Sequence, residues 1–505
     1  MELLRPAGKC ISSRCCNVSC SDLSSTGLNE RRCIARDVLG LYGSIITCAA
    51  YTHSDVSNEV PVDDFVKALK QCIIEHPVLC TVIQNAETER PELARSVSID
   101  LNEHLRTLDP VPTGRDDGEA IQRLLEQAHN EPFLDRHLHP PWRLYILPLS
   151  SAATSKFRAA FSYSHAIADG KSGLLFHMSF SRALENMQNL SFDGTRTWEI
   201  PVLAKGLHPP LELAATLPIS WSFLLRPLMK EFLPSIVTRA LGVTTNDSGD
   251  RWCGALMRPE RPAPLQLLRT AARLRSISHK VVRGVLAVCR KHNVRLTGLL
   301  ELLTARALAL LLSARGQQYH SYEVETAMDL RRCIPTATDS MTNFVSAVTD
   351  TITLPSNAPA LGGLTDEDWI TARRLTEHQA QASNTLADQP VTLLKYLTNI
   401  REWVQKKATQ PSDLSFSVSN ISIFDSRCTQ QWDSSQSTWH VEDMVFSQSA
   451  DATGAPFNLN VVSTKEGSLM IVLSWWPGML GVDDEDNFVE EVCSSVVEQM
   501  SAIAQ

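Results

Sequence analysis

The sequence predicts an α/β protein with mixed sheets, built from two halves of similar size. Three observations carry this. Segments with the period-two alternation of strands interleave with segments of helical spacing along most of the chain. An irregular stretch at 188–268, holding Pro201, Pro209, Pro210, Pro218, Pro227 and Pro234, interrupts that alternation near the middle. A chain of 505 residues, 43% hydrophobic and 20% charged, can also build a large core and exceeds one ordinary domain.

Residues 1–27 lack apolar periodicity and read as a mobile N-terminal segment. Their Cys10, Cys15, Cys16 and Cys20 fit no common zinc spacing, and Arg5, Lys9 and Arg14 against Glu2 leave a transit peptide as a second reading. The N-terminal half, 28–200, begins with a strand at Leu41–Thr52. Val62–Glu75 follows as a helix, with Phe65, Val66, Leu69, Cys72 and Ile73 on one face, and stops at His76-Pro77. Short strands are expected near 78–83 and 95–101, and a helix near 117–130. Trp142–Pro148 and Lys156–Tyr163 read as neighbouring strands joined by a Ser/Ala turn, with a helix at 171–187 after them. Residues 201–268 read as a linker or crossover containing the apolar segment Leu217–Leu241. Trp221, Phe223, Leu224 and Leu225 beside Arg226 and Lys230 could touch a membrane interface, but the prolines break any long amphipathic face and favour a crossover helix packed on the body.

The C-terminal half, 269–505, alternates again. Strands are predicted near 270–277, 322–329, 342–353, 414–422, 438–447, 456–463 and 468–476. Helices are predicted at 279–292, 297–314, 366–382, 392–407 and 485–503.

A net charge of −9 disfavours duplex nucleic acid and anionic membranes as partners of the whole molecule. The thirteen cysteines include no C-x-x-C pair, so neither a metal site nor a redox motif is expected. No apolar h-region opens the chain, and no uninterrupted apolar run reaches the roughly 18 residues of a membrane span. The expectation is a reduced, cytoplasmic protein with no transmembrane segment and no permanently bound cofactor.

One segment points to chemistry: Ser164-His165-Ala166-Ile167-Ala168-Asp169-Gly170, an H-x-x-x-D-G. Phe157, Ala159, Phe161 and Tyr163 share one face of the preceding strand, and period two carries His165 onto that face. A histidine at a strand's end, followed by Asp-Gly and a helix, is well placed as a general base, and its ordinary pKa near 6.5 leaves it mostly neutral. A satisfied core histidine is the plain alternative. Asp169 has three readings: a relay carboxylate, an N-cap of the following helix, or a salt bridge fixing the loop.

These residues resemble the signature of the CoA-dependent acyltransferases that include plant BAHD enzymes, fungal alcohol O-acetyltransferases, trichothecene acetyltransferases and peptide-synthetase condensation domains. Other segments agree in order. Glu30-Arg31 through Leu39-Gly40-Leu41-Tyr42 is similar to the family's opening strand, and His76-Pro77-Val78-Leu79 to its H-P-x-L. Lys291–Leu300 with Thr297 resembles the turn before the long C-half helix, Asp329-Leu330-Arg331 the D-L-R strand, and Ser417–Ile423 the S-N-x-x strand. The resemblance covers about 28–500. The plant D-F-G-W-G is absent, and Phe446-Ser447-Gln448-Ser449 with Pro456–Val461 stands there, as in the alcohol acetyltransferase branch. Ser164 replaces the first of the two histidines usual in condensation domains.

The resemblance implies two chloramphenicol-acetyltransferase-like halves forming a pseudo-dimer with the active site at their interface. It implies an acyl-CoA-dependent O-acyltransferase, acetyl-CoA being the first donor to consider, acting on a hydroxylated small-molecule natural product. His165 would deprotonate the acceptor. Asp169, with Gly170, would be structural and paired with Arg331. Ser419 and Asn420 are candidate donors to the oxyanion, a strand-end turn being the alternative. Nine positive charges and no acidic residue lie between Arg261 and Leu300. Arg275, Lys280 and Arg283 among them are the candidate CoA-phosphate contacts. A monomer is expected. A carrier-protein thioester in place of CoA, and an inactive binding module of the same fold, are the rival readings.

Overall fold

The computed structural model describes residues 24–53, 61–111, 117–149, 156–203, 205–225, 250–255, 268–355, 363–425 and 439–505. The cysteines at 10, 15, 16 and 20, the turn at 150–155, most of the expected crossover segment and Arg261 lie outside the described residues.

The first large element corrects the sequence reading. The segment that resembles an opening strand is the helix α1, Leu28–Val38. Cys33, Ile34 and Ala35 are contiguous rather than spaced by three or four. Its buried residues include the polar Asn29, Glu30, Arg36 and Asp37. Tertiary hydrogen bonds, not an apolar stripe, settle this helix, and apolar periodicity could not reveal it.

The N-half then follows the expected order: β1 (Ile45–His53), α2 (Val62–Glu75), β2 (Leu105–Thr107), α3 (Asp117–Asn130), β3 (Trp142–Pro148), β4 (Lys156–Tyr163) and α4 (Gly170–Glu185). Residues 77–80 form a 3₁₀ turn rather than a strand. Thr81–Gln84 and Glu92–Arg95 pair in a small sheet with Ser24–Ser25. Residues 221–225, the described start of the expected crossover helix, are helical with Trp221 exposed; Ser220 just before them is tied to Asp388.

The C-half comprises β5 (Ala271–Ile277), α5 (His279–His292), α6 (Leu296–Ala314), β6 (Ser321–Asp329), β7 (Val345–Thr353), α7 (Asp366–Ser383), α8 (Ile400–Thr409), β8 (Phe416–Phe424), β9 (Trp439–Gln448), β10 (Phe457–Thr464), β11 (Leu469–Trp475) and α9 (Glu485–Ile503). The helix expected at 392–407 is split into a 3₁₀ turn, Pro390–Tyr396, and α8, because Asn399 caps the Glu402 N–H and starts a new helix.

Two sheets organise the molecule. One has the order β9-β1-β4-β3-β2, the other β5-β11-β10-β8-β6-β7. β9 therefore belongs to the C-half by sequence and to the first sheet by hydrogen bonding, antiparallel to β1 from Trp439↔His53 to Gln448↔Ile45. Met444, Val445 and Phe446 bury into the first core.

The second sheet has two unlike faces. Val324, Phe416, Val418, Leu459, Val461 and Leu473 face α6 and α9 and form the second core. Period two then turns Glu325, Ser417, Ser419, Asn458 and Asn460 the other way, towards the first half.

Among the described residues one helix, α6, is by length and composition apolar enough to cross a membrane, although Glu301 and Arg306 interrupt its apolar run. In the fold it is a core helix. The buried Glu301 carboxyl accepts from Gln379 Nε2 at 2.6 and 2.7 Å and from Thr326 Oγ1, and burial pushes its pKa up to about 8.

Candidate active site

β4 ends at Tyr163, residues 165–167 form a tight turn, and Asp169 caps α4. The turn, rather than the strand's alternation, sets the direction of His165. Its Nδ1 lies 3.1 Å from the Ala168 carbonyl. A carbonyl only accepts, so Nδ1 carries the proton and the Nε2 lone pair is left for a ligand. The half-buried ring stands 5.8 Å from that of Tyr42.

The turn is gripped from both halves. Asn343 Nδ2 donates to the His165 carbonyl at 2.7 Å, and Asn29 Nδ2 donates to Asn343 Oδ1 at 2.8 Å. Ser164 Oγ donates to Asp37 Oδ2 at 2.8 Å and accepts from the Ala166 N–H. Asp37 is in turn paired with Arg136 at 2.6 Å. Ser164 thus has a structural task where condensation domains usually carry a histidine.

Burial, then the charges of Arg36 and Arg32, push the His165 imidazole down to about 3. The ring is neutral throughout the physiological range, the state a base requires. Arg36 pairs with Asp451 at 2.7 Å and lies over the Tyr42 ring at 4.7 Å.

Asp169 takes two of its three readings at once. Oδ1 accepts from the Ser172 N–H at 3.1 Å as an N-cap, and Arg331 meets the carboxylate in a bidentate pair at 2.8 and 3.0 Å. The Phe344 N–H donates to Oδ2 at 3.0 Å. Both side chains are 4% exposed, and Arg331 also bonds Asp329, Ser172 and the Thr342 carbonyl. With its acceptors occupied, Asp169 is no relay.

At Gly170 the halves are in close contact. A Cβ there would stand 2.7 Å from Ile421 Cγ2 and 3.1 Å from Phe446 Cζ. Ile421, on β8, also receives Lys171 Nζ on its carbonyl at 3.1 Å.

The oxyanion candidates separate at this point. Ser419 lies two residues before Ile421, on the polar inner face, and its hydroxyl makes no hydrogen bond among the described residues. Asn420 faces the other way. Its Nδ2 donates to Thr297 Oγ1 at 3.1 Å, and its Oδ1 accepts from the N–H of Ser422, a residue at φ 73°. Asn420 is a clamp at the irregularity within β8, where the register shifts between Asn420 and Ile423, so of the two candidates only Ser419 has an uncommitted hydroxyl.

The cationic segment also divides. Arg275 is ion-paired with Glu490 and donates to the Leu274 carbonyl, so its charge is already met; Lys280 and Arg283 stay exposed on α5 without ion pairs among the described residues. His76 and His177 are buried packing residues, bound to Ser179 and to Tyr51 with the Thr47 carbonyl, and His440 is exposed. Among the described residues no cluster of His, Cys, Asp and Glu could hold a metal.

Sequence reasoning missed Asn29, Arg32, Arg36, Asp37 and Asn343 at the site. The polar inner face was visible in principle as the alternations Ser417-x-Ser419 and Asn458-x-Asn460 inside apolar strands.

The two-lobed mixed fold is that of condensation domains and of a trichothecene acetyltransferase, and the family match makes the protein an acyltransferase. Residues 115–495 match the alcohol acetyltransferase family, and the chain belongs to that family. It is 24% identical over 496 residues to a "Probable alcohol acetyltransferase", crmB of Aspergillus fumigatus, covering 94% of this chain and 98% of the relative. It is 22% identical over 488 residues to FCK4 of Fusarium pseudograminearum, described in the same words, covering 91% and 92%. Among solved structures it resembles TRI3 trichothecene 15-O-acetyltransferase of Fusarium sporotrichioides, with TM-score 0.66, 12% identity and 96% of each chain covered. The first condensation domain of the calcium-dependent antibiotic synthetase shares the fold with TM-score 0.57 and 12% identity, over 95% of this chain and 97% of that one.

Proposed function

We propose that this protein transfers an acyl group, acetyl in the first instance, from acyl-CoA to a hydroxyl of a small-molecule natural product, with His165 as the base. The observation that carries this is the free Nε2 of a neutral imidazole, its Nδ1–H fixed on the Ala168 carbonyl, in the turn where the two halves meet. Nε2 takes the acceptor proton as its oxygen attacks the thioester carbonyl. The tetrahedral oxyanion that forms stabilises the adjacent imidazolium, and the Ser419 hydroxyl donates to it. Collapse breaks the C–S bond, and the CoA sulfur leaves with the proton held on Nε2. The products are an ester and CoA, and the imidazole is again neutral.

The test is thiol release from acetyl-, butyryl- and hexanoyl-CoA with a panel of simple and aromatic alcohols, followed by mass analysis of the esters. Alcohol-dependent release with ester formation supports the reading. Equal use of acetyl-pantetheine and acetyl-CoA overturns the CoA assignment and favours a carrier-protein donor. No ester from any alcohol, with amides formed from amines, favours a condensation-like reaction.

A further inference from the structure

We infer that Asn343 is a positioning residue for the base: it holds the His165–Ala166 peptide plane from the C-half, and through that plane it aims His165 Nε2. This deepens the transfer reading above and rests on it for the role of His165.

The imidazole has one hydrogen bond among the described residues, from Nδ1 to the Ala168 carbonyl of its own turn. Its direction is therefore a property of the backbone between 165 and 168. The peptide that follows His165 is pinned at both polar ends. Its carbonyl accepts from Asn343 Nδ2 at 2.7 Å, and its N–H, on Ala166, donates to Ser164 Oγ at 3.2 Å. Rotation of that plane changes the backbone angle at His165, and with it the reach from Nδ1 to Ala168.

The Asn343 amide has one possible orientation. A carbonyl only accepts, so the Nδ2 end meets His165, and Oδ1 is left to accept from Asn29 Nδ2 at 2.8 Å. The backbone on either side of Asn343 is tied to the other end of the motif. The Thr342 carbonyl accepts from the Asp169 N–H at 3.1 Å, and the Phe344 N–H donates to Asp169 Oδ2 at 3.0 Å. Asn343 thus starts from a place fixed by Asp169 and reaches to His165.

α1 closes this clamp. Asn29, Cys33 and Asp37 are spaced by four and form one buried stripe along the helix. Asn29 holds the Asn343 amide, Cys33 Sγ lies 3.6 Å from Asn343 Nδ2, and Asp37 accepts from Ser164 Oγ at 2.8 Å. Both pins of the peptide lead back to that stripe. Asn343 and Asn29 are both buried, so a deleted bond leaves a polar group unmatched and the plane free to turn. A displacement of about 1 Å at a reacting group costs on the order of 10²-fold in rate.

The test measures Asn343→Ala and Asn29→Ala, each with His165 intact and in the His165→Ala background. Acetyl-CoA is the donor, and the acceptor is whichever of 1-hexanol, benzyl alcohol and 2-phenylethanol gives most ester with the wild type. Asn343→Ala should lower kcat by roughly 10–100-fold, with the KM for acetyl-CoA within about twofold. In the His165→Ala background the same change should lower the residual rate by less than about twofold, because no base is left to aim. Hydrogen exchange at the Ala166 N–H, read by mass spectrometry with residue-level fragmentation, should quicken at least about tenfold. Asn29→Ala should follow the same pattern with a smaller loss, and carries the test if Asn343→Ala does not fold. A kcat within twofold of wild type in both variants overturns the inference. So do equal losses with and without His165, which would make Asn343 a tie between the halves and nothing more. Faster Ala166 exchange in a protein that gives no ester from any alcohol counts against the transfer reading alone.

Discussion

The two ends of the His165–Asp169 turn stand four residues apart and have opposite surroundings. Asp169 is saturated: a helix N–H, a bidentate arginine and a second backbone N–H occupy its oxygens. His165 has one hydrogen bond through its ring, to a backbone carbonyl, and that bond leaves Nε2 unused. A buried charge needs complete pairing to persist, and a base needs a vacant lone pair to act. The motif therefore splits into a fastening, which crosses from one half to the other through Arg331, and an unengaged imidazole nitrogen, the proposed reagent. Stability and turnover should respond separately at its two ends.

The largest effect belongs to the reagent end. His165→Ala should lower turnover by roughly 10²–10⁴-fold while the melting temperature changes little, because the ring is half-buried and its backbone is held by Asn343. With the imidazole pushed down to about 3, the wild-type rate should not lose this base by protonation between pH 8 and pH 5. Stability behaves differently. A histidine whose folded pKa lies below its unfolded value favours folding above the unfolded pKa, and that contribution is lost as pH falls through 6.5 towards 3. Near-normal transfer by His165→Ala would place the base elsewhere and dissolve the contrast.

The fastening end comes next. Asp169→Ala or Arg331→Ala alone leaves a buried charge unpaired and should cost about 3–5 kcal/mol of stability, measured by denaturant unfolding. Activity should fall with it. The double variant should be less damaged than the sum of the singles. Additive losses would mean that the pair at 2.8 Å contributes no coupling and that Asp169 serves as a cap only.

The same contrast explains what could be read from the chain. Periodic elements were plain: α2, α3, β3, β4, α5 and α9 have the predicted bounds, because each carries an apolar face that its own spacing declares. The H-x-x-x-D-G turn was plain because its residues are contiguous. α1 was misread because it buries polar groups whose partners lie far along the chain, such as Asn343 for Asn29 and Asp451 for Arg36. The placement of β9 in the first sheet was hidden for the same reason, since strand pairing leaves little local trace. Arg275 looked free because its countercharge, Glu490, is 215 residues away.

Two neighbours on β8 sharpen the comparison at smaller scale. Ser419 has an unused hydroxyl on the inner face, and Asn420 is bound to Thr297 and Ser422. Ser419→Ala should reduce kcat by roughly 10²-fold, near the lower bound for a lost oxyanion donor, with little change in melting temperature. Asn420→Ala should lower stability by about 1 kcal/mol through loss of the bonds that hold the mid-strand irregularity, with a smaller effect on kcat. The opposite assignment of the two effects would restore Asn420 as the oxyanion donor.

The smallest effect concerns the exposed cations of α5. Lys280 and Arg283 lack ion pairs among the described residues, whereas Arg275 is held by Glu490. If the first two meet the CoA phosphates, their contact is equally strong in the ground and transition states. The Lys280→Ala/Arg283→Ala double variant should then raise the KM for acetyl-CoA by about 3–10-fold with kcat nearly intact. The increase should shrink at high salt, because exposed charge contacts are screened. Acetyl-pantetheine has no nucleotide phosphates, so its KM should not move. Arg275→Ala is the internal control: it removes a partly exposed ion pair, so the KM for acetyl-CoA should change less than twofold. A KM that rises with Arg275→Ala and not with the double variant would show that Glu490 releases its arginine to the donor, and would move the phosphate site from the helix to the strand.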